Sequence, residues 1–276
     1  MSIDLDLMEL ADFTNPKTIV KEILSQNPNI KLPIPLEEIA SAAGISEIQY
    51  RALDGLEGAL VANKEKSEGI IAINNKTILS KQRFTLGHEL GHFLIPSHGH
   101  KMQCTVKDLG KKTSSKSKVL DIEAEANVFS SQLLMPSQLL SKRGLLDASP
   151  NVSNIIQLKD ICDVSFQACA NNYINIHGDY LAVVYSHNNI IKYGLNADAN
   201  PLWLNADRGK ALPRGSHTST VDLSKYHNIS SDEVDTELWF SPDNNYEYPE
   251  TLIEETYVQE DGWAATLLWI DDIEEL

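Results

Sequence analysis

Cysteine is scarce: the 276 residues contain only Cys104, Cys162 and Cys169. The count is odd and no two form a C-x-x-C pair, which argues against a disulfide framework and points to reduced thiols in a cytosol. Long apolar runs are missing too, since none approaches the roughly 20 residues needed to span a bilayer. The first residues, MSIDLDLMEL, lack the basic start and apolar stretch of a secretory signal. A cytoplasmic protein without membrane contact is therefore expected. Basic charge is nearly absent from the last third: residues 176–276 hold 5 Lys/Arg against 19 Asp/Glu, net −14 of the chain's −16, whereas residues 1–140 hold 15 against 17. Duplex affinity comes largely from Lys and Arg displacing counterions, so no direct nucleic-acid binding is expected.

There is no internal repeat. One low-complexity stretch, Gly110–Lys118 (GKKTSSKSK), reads as a flexible connector rather than a gate. Helical spacing covers Asn15–Gln26, with Pro16 in the first turn, and Pro35–Ala43, with Gly44 as its stop. Three β-like runs follow, Glu47–Arg51, Gly58–Val61 and Gly69–Ile73, which suggest a small antiparallel sheet. Lys81–Ile95 reads as a helix stopped by Pro96, and Asp121–Leu134 as another, with Asp121 as N-cap and Ile122, Ala126, Phe129 and Leu133 as its apolar stripe. Two short helices are expected between Val152 and Ile174, around the turn Asp163-Val164-Ser165. Beyond Gly178 the texture becomes strand-rich, with a hairpin around Ser186–Asn189 and a strand at Ala265–Ile270. All four tryptophans, 203, 239, 263 and 269, lie there and are expected to form a core. The fold class is α+β, in three parts: 1–140, a helical segment at 141–175, and an acidic α+β domain at 176–276.

The chemistry sits in RFTLGHELGHFLI, which contains H-E-x-x-H at His88–His92. On a helix, positions i and i+4 share a face, so both imidazoles can reach one ion, with Glu89 beside them as a general base. Zinc at an open site takes three protein ligands plus water and can lower that water's pKa to about 7. Gly87 and Gly91 slim the helix at a propensity cost of roughly 1 kcal/mol each, a cost that makes sense if another helix approaches there. In DIEAEANVFSSQLLMP, Glu123 and Asn127 share a face, so Glu123 can supply the third ligand while Asn127 orients a ligand histidine. Glu125 lies about 200° around the helix from Glu123. Spacing alone does not choose between the two, and Glu125 also reads as a first-turn carboxylate favoured by the helix dipole.

Together these segments resemble the ImmA/IrrE family of metallopeptidases, whose signature is an RFTLAHELGH-like helix and a later E-x-x-A-N/D-x-F-A-x-x-LLMP helix. The resemblance covers roughly residues 15–175 and implies a zincin-like core followed by a helix-turn-helix-like segment. It places the third zinc ligand at Glu123. Phe129 and Leu133–Pro136 also match, while Ser130 stands where the family has alanine. One Zn2+ per chain is implied; the two-His, one-carboxylate set also suits Mn2+ or Fe2+. The family further implies a narrow protein substrate, typically a helix-turn-helix repressor encoded nearby, cleaved to derepress stress-response or mobile-element genes. The acidic C-terminal domain would then sense a signal or recruit the substrate.

His98 and His100 follow close behind the motif and are candidate donors to an oxyanion or substrate. Arg83 is either a partner for a carboxylate or a plain surface residue. Cys104 near His100 does not by itself make a second metal site. The second helix of the 152–174 pair, FQACANNYI, lacks Lys and Arg and reads as packing rather than DNA recognition. The competing reading of the whole chain is a non-catalytic, metal-stabilised regulator or antitoxin-like partner, against which an intact Glu89 argues.

Overall fold

The computed structural model describes residues 3–105, 118–144, 146 and 148–275. The chain divides into two compact units: Met1–Leu139 with Lys159–Ser165, and Leu140–Leu158 with Phe166–Leu276. Among the described residues no helix is long and apolar enough to cross a membrane.

The first unit opens with α1 (Leu7–Leu10), α2 (Pro16–Gln26) and α3 (Leu36–Ala43). Asn15 caps α2 by accepting from the N–H groups of Lys17 and Thr18, satisfying donors the helix leaves unpaired. Gly44 ends α3 at φ +107°, a left-handed conformation that favours glycine. β1 (Ile45–Arg51), β2 (Gly58–Ala62), β3 (Gly69–Asn74) and β4 (Lys101–Cys104) form one sheet in the order β1-β3-β2-β4. β2 pairs antiparallel with β3 and β4, as expected, but β1 runs parallel to β3. The stretch that contains β2 separates β1 from β3 in sequence, so the two can align in the same direction without a tight hairpin.

α4 (Leu79–Leu94) and α5 (Lys118–Leu134) pack on each other. α5 begins before Asp121, which therefore lies in the first turn rather than capping it. Ala126, Phe129 and Leu133 of the expected stripe are fully buried. The Gly110–Lys118 stretch falls almost wholly outside the described residues.

The second unit is built on a five-stranded antiparallel sheet ordered β6-β5-β10-β9-β7, from β5 (Tyr180–His187), β6 (Ile190–Asn196), β7 (Ile229–Asp235), β9 (Thr251–Val258) and β10 (Trp263–Ile270), with β8 (Tyr246–Glu247) and β11 (Glu274–Glu275) as a separate pair. Asn188 and Asn189 close the β5–β6 hairpin at φ +50° and +61°, the two-residue turn that suits the strand twist. Of the remaining helices, α6 spans Ser137–Leu140, α7 Val152–Cys162 and α8 Phe166–Ile176. α8 buries Phe166, Cys169, Ala170, Tyr173 and Ile174, and it packs against β5. Of the four tryptophans only Trp239 is fully buried, in a cluster with Phe240, Leu202 and Leu268; Trp203 is 75% exposed, against the expected common core.

Candidate metal centre

His88, Glu89 and His92 lie in the last two turns of α4 and are fully buried. A Cβ at Gly87 would come within 2.6 Å of Ser130 Oγ, and one at Gly91 within 3.0 Å of Phe129 Cδ1. The two glycines thus let α5 close on α4, as the sequence suggests. Ser130, in the place of alanine, donates its hydroxyl to the Phe84 carbonyl at 2.8 Å and ties the helices together.

That approach delivers Glu123. Its Oε2 lies 3.3 Å from His88 Nε2 and 3.7 Å from His92 Nε2, and the two Nε2 atoms are 3.0 Å apart. His88 Nδ1 faces Asn127 Oδ1 at 2.9 Å. A carbonyl oxygen only accepts, so the proton is on Nδ1 and the Nε2 lone pair points at Glu123. The same bookkeeping runs through a longer chain at His92. Its Nδ1 lies 2.9 Å from His98 Nδ1, and His98 Nε2 lies 2.9 Å from Glu125 Oε2. With the carboxylate accepting from His98 Nε2–H, neutral His98 must accept at Nδ1, so His92 donates from Nδ1 and its Nε2 is a lone pair as well.

Three electron-rich atoms therefore converge with no proton among them, an arrangement that is repulsive until a cation lies between them. Bonds of about 2.0–2.1 Å at tetrahedral angles place ligand atoms about 3.3 Å apart, and the three observed separations bracket that value. The residues fit a metal ion. Burial, opposed by the nearby Glu123 carboxylate, lowers His92 to about 4, keeping the ring neutral and free to ligate at pH 7. Burial pushes the Glu123 carboxyl up, but the closeness of the His88 and His92 rings outweighs this and holds it at about 2.

Glu89 is different. Both carboxylate oxygens are buried, and among the described residues neither has a hydrogen-bond partner. Burial, and then the charge of Glu123, raises its carboxyl well above the ordinary glutamate value. β2 presses on it: a Cβ at Gly58 would come within 2.6 Å of Glu89 Oε1.

His98 does not stand ready as an oxyanion donor, because both ring nitrogens are engaged, one by His92 and one by Glu125. His100 is half-buried, and its carbonyl accepts from the Ala62 N–H at 2.8 Å. Arg83 pairs with Asp163 in the α7–α8 turn, with Nε 3.2 Å from Oδ2. Three residues near the centre take roles that their sequence context does not signal. Glu125 anchors His98. Lys66 donates to the carbonyls of His92 (2.8 Å) and Ile95 (2.7 Å) at the end of α4, where burial lowers its amine to about 8. Cys104 places its sulfur beside His88 and Glu89. No spacing flags these roles, because each depends on a contact between separate elements of the fold.

The sequence profile of the IrrE N-terminal-like domain matches residues 46–172. No curated protein matches the chain. Among solved structures, a Mycobacterium tuberculosis transcriptional regulator is similar in fold, with a TM-score of 0.58 at 12% identity over 95% of this chain and 80% of that one. The matched segment contains His88, Glu89, His92 and Glu123, so the similarity to the IrrE N-terminal-like domain rests on the stretch that builds the site.

Proposed function

We propose that this chain is a zinc-dependent endopeptidase that cuts one specific protein, a helix-turn-helix transcriptional repressor encoded near its own gene, and so derepresses stress-response or mobile-element genes. The observation that carries the reading is Glu89, fully buried with neither oxygen bonded. An unsatisfied buried carboxyl costs roughly 1–3 kcal/mol or more, and a folded protein retains such a group where chemistry uses it.

His88, His92 and Glu123 would hold the ion, two through Nε2 and one through a carboxylate oxygen. Bound zinc would supply a Lewis acid that polarises the scissile carbonyl and acidifies water. Glu89 accepts the proton from the attacking water and passes it to the leaving amine. Its raised proton affinity suits both halves of that task. Asn127 fixes the His88 ring, and His98, anchored by Glu125, fixes the His92 ring, so neither ligand loses alignment during turnover.

The charge of the second unit supports a choice of substrate. A surface carrying net −14 over residues 176–276 attracts a basic partner, and DNA-binding repressors present basic faces. The M. tuberculosis protein of similar fold is named a transcriptional regulator, which supports a place in gene control.

A non-catalytic regulator or antitoxin-like protein could use the same metal ligands for stability, but it has no use for an unbonded Glu89. Co-incubation with the neighbouring repressor, followed by mass spectrometry, separates the readings. Cleavage by wild type and not by Glu89→Gln is expected. Equal cleavage by both, or by neither, contradicts the proposal.

A further inference from the structure

Besides the trio on α4 and α5, a second group of potential ligands is buried at the same place. One ligand atom each from His88, Glu89 and Cys104 lie within 4.8 Å of one another. Cys104 is the last residue of β4 and sits directly opposite Gly58 of β2. Residues opposite each other in an antiparallel pair project to the same face of the sheet. On that face a Cβ at Gly58 would meet Glu89 Oε1 at 2.6 Å and Thr85 Cγ2 at 2.5 Å. Cys104 therefore projects onto α4 beside Glu89, whose two buried oxygens have no hydrogen-bond partner among the described residues. Cys104 is buried and not disulfide-bonded.

We propose that His88, Glu89 and Cys104 form a second position for a soft divalent cation, an alternative to the catalytic one, and that occupancy there silences the enzyme. Two physical points define it. His88 has one lone pair to give, because its Nδ1 proton is committed to Asn127; a single nitrogen serves one ion at a time, so the two positions exclude each other. Thiolate is the softest ligand in the neighbourhood and selects thiophilic ions, while the trio, two imidazoles and a carboxylate, suits zinc, manganese or iron. Ligands around one ion with a Zn–S bond sit about 3.5 Å apart, so a group whose ligand atoms all lie within 4.8 Å needs at most a modest contraction. Binding forms a metal–sulfur bond and releases the thiol proton to buffer. Glu89, now a ligand, can no longer accept a proton. The silencing rests on the general-base role proposed for Glu89; the binding position does not.

The test uses the full chain, stripped of metal and kept reduced with a phosphine. Cadmium titration should produce near-ultraviolet sulfur-to-cadmium charge-transfer absorption that saturates at one ion per chain. Adding cadmium to zinc-loaded protein should release one zinc per cadmium bound. Cys104→Ser should still bind one ion but lose the absorption. The 113Cd resonance of wild type checks the ligand set without any variant, since one sulfur ligand shifts it far downfield of an all-nitrogen-and-oxygen site. Four results overturn the proposal: no sulfur absorption in wild type, absorption retained by Cys104→Ser, a 113Cd shift without sulfur, or zinc and cadmium held together on one chain. If neither protein takes up any ion, the trio fails as a metal site along with this proposal. If cadmium binds as described but wild type and Glu89→Gln cleave the repressor equally, only the peptidase mechanism fails.

Discussion

Among the described residues two glutamates are fully buried, one in each unit, and their surroundings are opposite. Glu254, in β9, accepts from the backbone N–H of His217 (3.0 Å) and Thr218 (2.8 Å) and from Trp239 Nε1 (2.8 Å). It replaces water with three fixed donors and holds the segment after Gly215 and the core tryptophan onto the sheet. Among the described residues Glu89 has no donor. Burial with partners is architecture; burial without them costs stability and keeps a proton acceptor unspent. The contrast also explains why charge alone is a poor guide to the site, since the acidic unit holds the satisfied carboxylate and the nearly neutral one holds the carboxylate proposed as the general base.

The largest effect that would test this contrast is on turnover. Glu89→Gln should lower hydrolysis about a thousandfold, in the range for loss of a general base, with metal content unchanged by elemental analysis. Glu254→Ala should do the reverse: three donors lose their acceptor, and urea denaturation should show a loss of about 3–5 kcal/mol, while the chain still binds one metal ion. A Glu254→Ala protein as stable as wild type would erase the distinction.

Removing the anchor of His98 should be felt at the metal and hardly in the fold. Glu125→Gln should weaken metal affinity about tenfold, the lower end for outer partners of ligating histidines, read by competition with a chelator. An unchanged affinity would show that His98 orients His92 without help from that carboxylate.

The smallest effect is on the metal-free protein. The Glu89 carboxyl is raised in the folded state, so the folded chain binds more protons there than the unfolded one. That contribution is fully present below the ordinary glutamate range and is lost as pH rises through the raised value. Metal-free Glu89→Gln, which cannot ionise, should therefore melt a few degrees higher than metal-free wild type toward neutral pH, with the gap closing in acid. Equal melting temperatures would mean that Glu89 finds a partner in solution.

The site is largely legible in the sequence because its signals are local. A four-residue spacing is about one helical turn, so the motif by itself puts His88 and His92 on one face. Gly87 and Gly91 announce a close neighbour, and Ser130 and Phe129 are that neighbour. What the sequence hides depends on chain reversals. Glu123 and Glu125 are equivalent by spacing, and only the direction from which α4 approaches separates them. His98 reads only as a candidate donor to an oxyanion or substrate, because nothing in its sequence shows that the turn after Pro96 folds back on His92. In the second unit, β7 lacks a strand signal because, as an edge strand, it buries only Val234 and so shows no alternation. Its neighbour β9 alternates cleanly but carries the buried Glu254 at an inward position, where a polar residue masks the pattern.

The most direct measurement is anomalous diffraction at the zinc edge from crystals of the zinc-loaded chain. One peak within bonding distance of His88 Nε2, His92 Nε2 and a Glu123 oxygen, with Glu89 beside it and not bonded to it, is the expected result. A peak elsewhere, or Glu89 bound to the ion in place of Glu123, would contradict the assignment of ligand and base.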